Sequence, residues 1–333
     1  MASIKRILVN ASAAKLGGAE TIIRTFVENI PCTNDKIFII LSPLNFAAGS
    51  PNIIFKYKKT DGFQTVFFTC VGILVYMIKY KTKSVLSFNN LNNIFFPKKG
   101  VTYFHQLKAL NGNSRELKLR LYDFIIKGFL KKNIFVVQSH YIKNLFISKY
   151  HVSGGKVLSC WPGFILPIKI SAGQQLEKKS GYTGIFPVAF DTTHKNIPLL
   201  LEMEEFFLLN AVKIITLLPK SSRTENPDVY STRGAVTREE LFKIYNEADF
   251  LIFTSTEETV GLPIFEFLQS GKPVFVFAAA YAVALHKQFN EPLNFILFTD
   301  KEDFQHKFSK HISVFDNSID YSKGEWEKIF NLL

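Results

Sequence analysis

The sequence is poor in the residues that staple or metallate a fold. It holds three cysteines in 333 residues, Cys32, Cys70 and Cys160. They form no CxxC pair and no cysteine–histidine cluster at zinc spacing, which argues against a disulfide framework and a structural metal. A reducing cytoplasm fits that usage. No apolar run reaches the ~20 residues of a spanning helix. The longest, 66–78, reads as a buried helix. The opening Met-Ala-Ser-Ile-Lys-Arg passes straight into a strand-like segment, so no signal peptide is expected. Methionine and tryptophan are scarce, at 3 and 2, against 34 phenylalanines, an excess we assign to core filling. Acidic charge is scarce in one half only. Residues 1–163 carry 23 Lys and Arg against 6 Asp and Glu, whereas the remainder carries 17 against 22. Such asymmetry points to an anionic partner of the first half: phosphate-bearing lipid, a phosphorylated acceptor or nucleic acid. A solvated lysine-rich surface without a partner is the alternative.

The length suggests two domains, each with its own core. Short β-branched segments at 4–10, 36–41, 53–57, 84–87, 101–104 and 134–138 read as strands. Helical spacing lies between several of them, at 19–30, 62–80, 114–131 and 140–149. After an irregular stretch at 164–180 the alternation restarts. Strands are expected at 184–188, 213–217, 229–233, 249–253 and 273–277, and helices at 195–208, 237–247, 262–270 and 301–315. An amphipathic segment, 322–332, closes the chain. Strands alternating with helices imply parallel sheets covered on both faces. The expectation is an α/β chain of two Rossmann-like, doubly wound domains, 1–163 and 181–317. They are joined by a linker at 164–180 and followed by a closing helix within 318–333. Open sheets of this kind bind ligands beyond the carboxyl ends of their strands, so a cleft between the domains is the expected site.

The most informative segment is STEETVGLPIFEFLQSGKPV, residues 255–274. A strand runs into a loop carrying Glu257 and Glu258. Gly261 permits a tight turn, Pro263 suits a first helical turn and Gly271 ends the helix. Glu258 in the loop and Glu266 in the helix are placed to face one pocket. The helix start between them offers backbone N–H groups to a phosphate. Anion donors beside hydroxyl acceptors are what a nucleotide-sugar requires. Solvated acids on a loop and a helix surface are the bland alternative.

This segment resembles the paired-glutamate signature of retaining glycosyltransferase family 4, the group 1 glycosyltransferases of surface polysaccharide assembly, which have the GT-B fold. The matching residues are Glu258-Thr-Val-Gly261-Leu262-Pro263-Ile-Phe-Glu266, then Ser270-Gly271-Lys-Pro273-Val274. The resemblance implies that Glu258 lies by the donor sugar and that Glu266 binds the nucleotide ribose. Thr259 and Val260 replace a Gly-Phe pair whose backbone contacts the donor, a change expected to restrict the loop and narrow the choice of donor. Lys15-Leu-Gly17-Gly18-Ala19-Glu20 resembles the family's glycine loop, where the backbone approaches a phosphate. An ordinary tight turn reads the same way, and the G-x-G-x-x-G spacing of dinucleotide folds is absent. Around His194-Lys195-Asn196 the family places an Arg and a Lys on the donor diphosphate. Lys195 matches the Lys, and Phe190 stands at the Arg position. Gly234-Ala-Val236 resembles the stretch whose backbone meets the base. Tyr103-Phe104-His105 resembles an element whose histidine faces the acceptor, a role neutral imidazole suits; a satisfied core histidine is the alternative. Gln138-Ser139 also fits the pattern. Trp326 resembles the aromatic of a closing helix that crosses back onto the first domain.

The resemblance implies a metal-independent, hexosyltransferase-type enzyme. Its co-substrate is a nucleotide-sugar of UDP or GDP type, with no other cofactor. Its acceptor is a saccharide, polyprenyl-diphosphate-linked in the reading we favour, within O-antigen or capsule assembly. Lys195, Asn196 and the loop N–H groups hold the diphosphate, and His105 serves the acceptor. An amphipathic helix at 114–132 in the basic half implies peripheral attachment to the anionic inner face of the cell membrane; a buried core helix is the equal alternative. A decayed GT-B protein acting as a binding subunit is the second reading. Nucleic-acid binding lacks any aromatic RNA motif or zinc knuckle.

Overall fold

The structure, a computed structural model, describes residues 4–15, 17–44, 46, 50–111, 116–168, 181–190, 192–219 and 226–333. Most of the expected linker, 169–180, lies outside the described residues, as does the start of the expected helix at 114. The chain divides into two compact units. The first is Met1–Ile165 together with Gly324–Leu333, and the second is Leu166–Lys323.

Among the described residues, unit 1 holds seven strands: β1 (Lys5–Asn10), β2 (Lys36–Ser42), β3 (Ile53–Tyr57), β4 (Ser84–Ser87), β5 (Gly100–Tyr103), β6 (Ile134–Val137) and β7 (Val157–Ser159). All pair in parallel, in the order β3-β2-β1-β4-β5-β6-β7. A sheet buried on both faces needs apolar residues at consecutive positions. β1 supplies them: Ile7 and Val9 enter one core and Leu8 the other. The Ile7 face is covered by helix Gly18–Glu28, through Ile22, Ile23 and Phe26, and by Trp326, Ile329 and Phe330 of the chain end. Phe26 lies 5.5 Å from both the Trp326 and Phe330 rings. The C-terminal segment thus crosses back to unit 1. Helices Gly62–Lys79, Leu117–Gly128 and His140–Tyr150 cover the opposite face.

Gly62–Lys79 is long and apolar enough to cross a membrane by length and composition. It nonetheless lays Phe68, Ile73 and Met77 on the sheet. A π-helical turn, Phe68–Gly72, interrupts it.

Unit 2 holds β8 (Tyr182–Phe186), β9 (Val212–Thr216), β10 (Tyr230–Thr232), β11 (Phe250–Phe253), β12 (Val274–Phe277) and β13 (Phe295–Phe298). They too are parallel, in the order β10-β9-β8-β11-β12-β13. Phenylalanine fills this core. Phe250, Phe275, Phe304 and Phe308 meet at ring separations of 5.1–5.8 Å, mostly edge to face.

Both sheets have the doubly wound order, which reverses between β1 and β4 in unit 1 and between β8 and β11 in unit 2. The structure differs from the sequence reading in local ways. β7, β13 and helix Ala280–Gln288 are additional to it. The expected helix at 195–208 is a 3-10 turn, Thr193–Lys195, followed by helices Ile197–Glu202 and Glu204–Leu209. The helix expected at 301–315 ends at His311, and the closing segment is helical only over Glu327–Phe330.

Candidate functional site

The reversal point of the second sheet brings two loops together. After β8 the chain reaches the turn Thr193–Lys195. After β11 it runs through 254–261. Thr254 Oγ1 donates to the Lys195 carbonyl at 2.7 Å. The Thr256 N–H donates to the His194 carbonyl at 2.7 Å, and its hydroxyl donates to the same oxygen at 3.2 Å. These bonds hold Lys195 where its ammonium pairs with the Glu258 carboxylate. The ammonium also lies 5.6 Å from the centre of the Phe253 ring. Asn196 adopts the left-handed conformation at φ 49°, which Asn tolerates, and opens the next helix. Tyr281 braces the second loop from behind, donating to the Ser255 carbonyl at 3.1 Å. Burial, and then the Glu258 charge, hold its phenol well above the ordinary tyrosine range.

Gly261 has φ 59°, and a Cβ there would stand 3.0 Å from Ile264 Cδ1. That backbone turns the loop into helix Leu262–Leu268. The helix side chains Ile264, Phe265, Phe267 and Leu268 are buried, and so is Glu266, 2% exposed. Gly271, at φ 78°, allows Phe315 within 2.4 Å of where a Cβ would be. A buried carboxylate needs a partner. Arg238 Nη2 donates to Glu266 Oε1 at 2.7 Å, and Tyr245 OH reaches Oε2 at 3.5 Å. Burial raises the Glu266 pKa, and Arg238 and Tyr245 oppose the rise. Arg238 is the first residue of helix Arg238–Glu247. A capping box fixes that start: Thr237 Oγ1 accepts from the Glu240 N–H at 3.2 Å, and Glu240 Oε2 accepts from the Thr237 N–H at 2.8 Å.

The structure therefore brings Lys195 to Glu258 and Arg238 to Glu266. Gly234, with φ 73°, and half-buried Val236 precede the Thr237 cap. Thr259 and Leu262 are half-buried, whereas Val260 is buried. Phe190 is 73% exposed. Sequence reasoning misses Arg238, Tyr245 and Tyr281 as site residues. Arg238 and Tyr245 belong to the stretch after Gly234 and Val236, whose resemblance to the family implies no role for them. Tyr281 sits in AAAYAVAL, where nothing polar marks a helix start.

The reversal point of unit 1 holds a cavity of about 200 Å³. Asn89, Asn90, His105, Asp61 and Lys118 supply its polar lining, and Ala14, Ala19 and Ile22 its apolar wall. Gly17 has φ 66°, and Gly18 opens the helix that brings Ala19 to this wall. The His105 N–H donates to Asn90 Oδ1 at 2.7 Å. Its Nδ1 is buried without a hydrogen-bond partner. Burial pushes the imidazole pKa down to about 4, so the ring is neutral at pH 7. Beneath the cavity, Asn89 Nδ2 donates to Ser12 Oγ at 3.0 Å and Thr69 Oγ1 at 3.1 Å. Ser12 Oγ donates in turn to Asn10 Oδ1 at 2.9 Å and shares a 3.0 Å bond with Thr60 Oγ1. Lys15 pairs with Asp61 and lowers its pKa. Gln138 and Ser139 are buried, and Ser139 caps helix His140–Tyr150 rather than lining the cavity. Among the described residues, no group of three or more metal-ligating side chains occurs.

No family model matches the chain. No curated protein matches it either. Solved structures do. WaaG, a glycosyltransferase involved in lipopolysaccharide biosynthesis, superposes with a TM-score of 0.65 at 12% identity, over 92% of this chain and 90% of that one. HepE of Anabaena, solved with UDP and glucose, gives 0.61 at 15% identity, over 98% and 94%. Sucrose-phosphate synthase of Thermosynechococcus elongatus gives 0.64 at 14% identity, over 98% and 94%. At these identities the likeness speaks for architecture: two Rossmann-like units of the GT-B fold.

Proposed function

We propose that the chain is a retaining glycosyltransferase. It moves a sugar from a UDP- or GDP-type donor to a saccharide acceptor in the assembly of a surface polysaccharide such as O-antigen or capsule. The acceptor in this reading is linked to polyprenyl diphosphate, at the inner face of the cell membrane. The observation that carries the proposal is the pairing of both signature glutamates with cations, at the reversal point of a GT-B sheet and in the helix that follows it. Neighbouring folds solved with a nucleotide and a sugar, such as HepE, support the donor class.

Without ligand, Lys195 is held by Glu258. An entering diphosphate competes for that ammonium, which then offsets the charge growing on the leaving group; such stabilisation is a major catalytic contribution. Released from the lysine, Glu258 accepts hydrogen bonds from donor-sugar hydroxyls. Glu266, fixed by Arg238, meets the ribose hydroxyls. The charge is met by side chains of this chain rather than by a metal. The acceptor sugar occupies the unit 1 cavity, where neutral His105 donates a hydrogen bond to the oxygen of its nucleophilic hydroxyl and leaves that hydroxyl's own hydrogen free. That oxygen bonds to the anomeric carbon on the face the diphosphate leaves. The carbon–oxygen bond to phosphate breaks, and the hydroxyl proton passes to the departing diphosphate. Glu258 forms no covalent intermediate.

The test is the melting temperature of the protein with UDP-, GDP-, ADP- and CMP-sugars, for the wild type and Glu266→Ala. The expected result is a rise with one nucleotide class that the variant loses. With that donor and an acceptor, the anomeric configuration of the product reports retention by NMR. A chain that binds donor without turnover is a binding subunit, a reading favoured by two features: exposed Phe190 stands where the resemblance implies an arginine, and Thr259-Val260 stand where it implies Gly-Phe.

A further inference from the structure

The helices that cover one face of the unit 1 sheet leave a second surface turned outward. Gly62–Lys79 buries Val66, Phe68, Cys70, Ile73 and Met77. On its other side Phe63, Phe67, Val75 and Ile78 recur at helical spacing and are exposed, Phe67 by 66% and Ile78 by 77%. Helix Leu117–Gly128 packs into the core shared with Val66 and Cys70, through Leu119, Tyr122 and Ile126. It turns Leu117 and Phe124 outward, and Phe129 beyond its end is exposed too. Two helices side by side on one sheet face thus present their apolar stripes to the same exterior. Single exposed apolar residues need no explanation, whereas a grouping of large ones marks an interaction surface.

Charge identifies the occupant. Lys79, Lys81 and Lys83 lie exposed at and beyond the end of the first helix, and Lys127, Lys131 and Lys132 at and beyond the end of the second. Of the three acids on these elements, Asp61 is paired with Lys15 and Asp123 with Lys149. A second copy of the chain would bring lysines against lysines, which repel. An anionic bilayer complements both features: lysines meet headgroups while apolar side chains enter the acyl boundary. We propose that this two-helix face docks unit 1 on an anionic lipid bilayer, with the Phe63, Phe67, Val75 and Ile78 stripe as its inserting edge. The sequence points to the helix after 114 and to lysines that include Lys79, Lys81 and Lys83; the structure adds the apolar stripe of Gly62–Lys79. The proposal stands apart from the sugar chemistry.

The test is flotation of the full chain at low salt with phosphatidylcholine vesicles, with and without phosphatidylglycerol. Binding is expected only with the anionic lipid. Phe67→Ser with Ile78→Ser should lower vesicle affinity by at least about tenfold, because both side chains are surrendered from the acyl boundary. Each of Lys79→Glu and Lys131→Glu should lower it by about fivefold or more. The melting temperature of each variant, with and without donor, is expected to match the wild type, so a failure here is separable from a failure of the catalytic reading. The two native tryptophans, Trp161 and Trp326, are buried. Phe67→Trp therefore reports insertion through quenching by brominated lipid. Three results would overturn the proposal: a wild type that stays unbound, a serine variant that floats equally well, or a Phe67→Trp variant whose fluorescence is blind to brominated lipid. So would a lipid-independent dimer that the serine variant abolishes.

Discussion

The two units use the same strand order to build opposite kinds of polar site. At the reversal point of unit 2 and in the helix beyond it, the groups are charged and meet as two ion pairs, Lys195 with Glu258 and Arg238 with Glu266. At the reversal point of unit 1 the buried groups are amides and hydroxyls, Asn10, Ser12, Thr60, Thr69 and Asn89, with neutral His105 above them. A charged site suits an ionic ligand whose own charge replaces a pair. A neutral network suits a ligand made of hydroxyls, which neither needs nor supplies a counter-ion. The bulk charge runs the other way. Unit 1 carries the excess of lysines, and most of them lie exposed on its outside.

The largest expected effect tests whether the unit 2 pairs carry charge as described. Arg238→Met leaves Glu266 buried without its cation, and a stranded buried charge costs about 3–5 kcal/mol. Glu266→Gln leaves Arg238, which is a third exposed and can turn to water, so its cost should be far smaller. Urea unfolding of both variants checks the asymmetry. Equal costs would mean that Glu266 is protonated at neutral pH and that the pair is no ion pair. Because burial raises the folded pKa of Glu266 above its unfolded value, its protonation favours the native state. The Arg238→Met variant should therefore recover stability as the pH falls through that raised pKa toward the unfolded value.

His105 sharpens the other side of the comparison. Its pKa falls from 6.5 unfolded to about 4 folded. The unfolded chain therefore binds the extra proton between those values, and stability falls as the pH drops through the window. At 1.36 kcal/mol per pKa unit, the loss is about 3 kcal/mol by pH 4. His105→Gln should abolish that part of the acid dependence, as read from melting temperature against pH. An unchanged acid limb would place the titrating group elsewhere. A smaller effect is expected for Asn89→Ala. It removes two donors and leaves Ser12 and Thr69 short of partners, at about 2 kcal/mol. That loss should be insensitive to salt, as a neutral network requires.

The comparison also explains what was legible. The unit 2 motif is local. Glu258, Gly261, Pro263, Glu266 and Gly271 lie within one loop and one helix, so spacing alone places them. Their cations are not local: Lys195 and Arg238 arrive through β8 and the Thr237 cap, and only Lys195 stands out. In unit 1 the network joins Asn10 at the end of β1 and Thr69 in the π-helical turn to Ser12, Thr60 and Asn89 in three loops, and asparagine or threonine in a loop is ordinarily a turn residue. Nothing in FNNLNN distinguishes Asn89, which holds the network, from Asn92, which bonds carbonyls of β4 and β5. Most of the strands were recoverable because buried parallel strands read as apolar runs. β7 and β13 fall outside the segments that the sequence marks as strands.

The smallest predicted effect links local structure to the unit 2 site. Thr237→Ala removes the hydroxyl that accepts from the Glu240 N–H and disrupts the capping box, at about 1 kcal/mol. Thr237→Asn should be close to neutral, since either side chain caps. Arg238 is the residue the cap orients, and it reaches Glu266 from the first turn of its helix. If the cap serves the pair, Thr237→Ala should also weaken the donor-induced rise in melting temperature, and Thr237→Asn should not. A cap variant that loses stability but keeps the full donor response would show that the Glu266 pair holds Arg238 in place unaided, with helix Arg238–Glu247 fixed by the packing of Phe242 and Tyr245 alone.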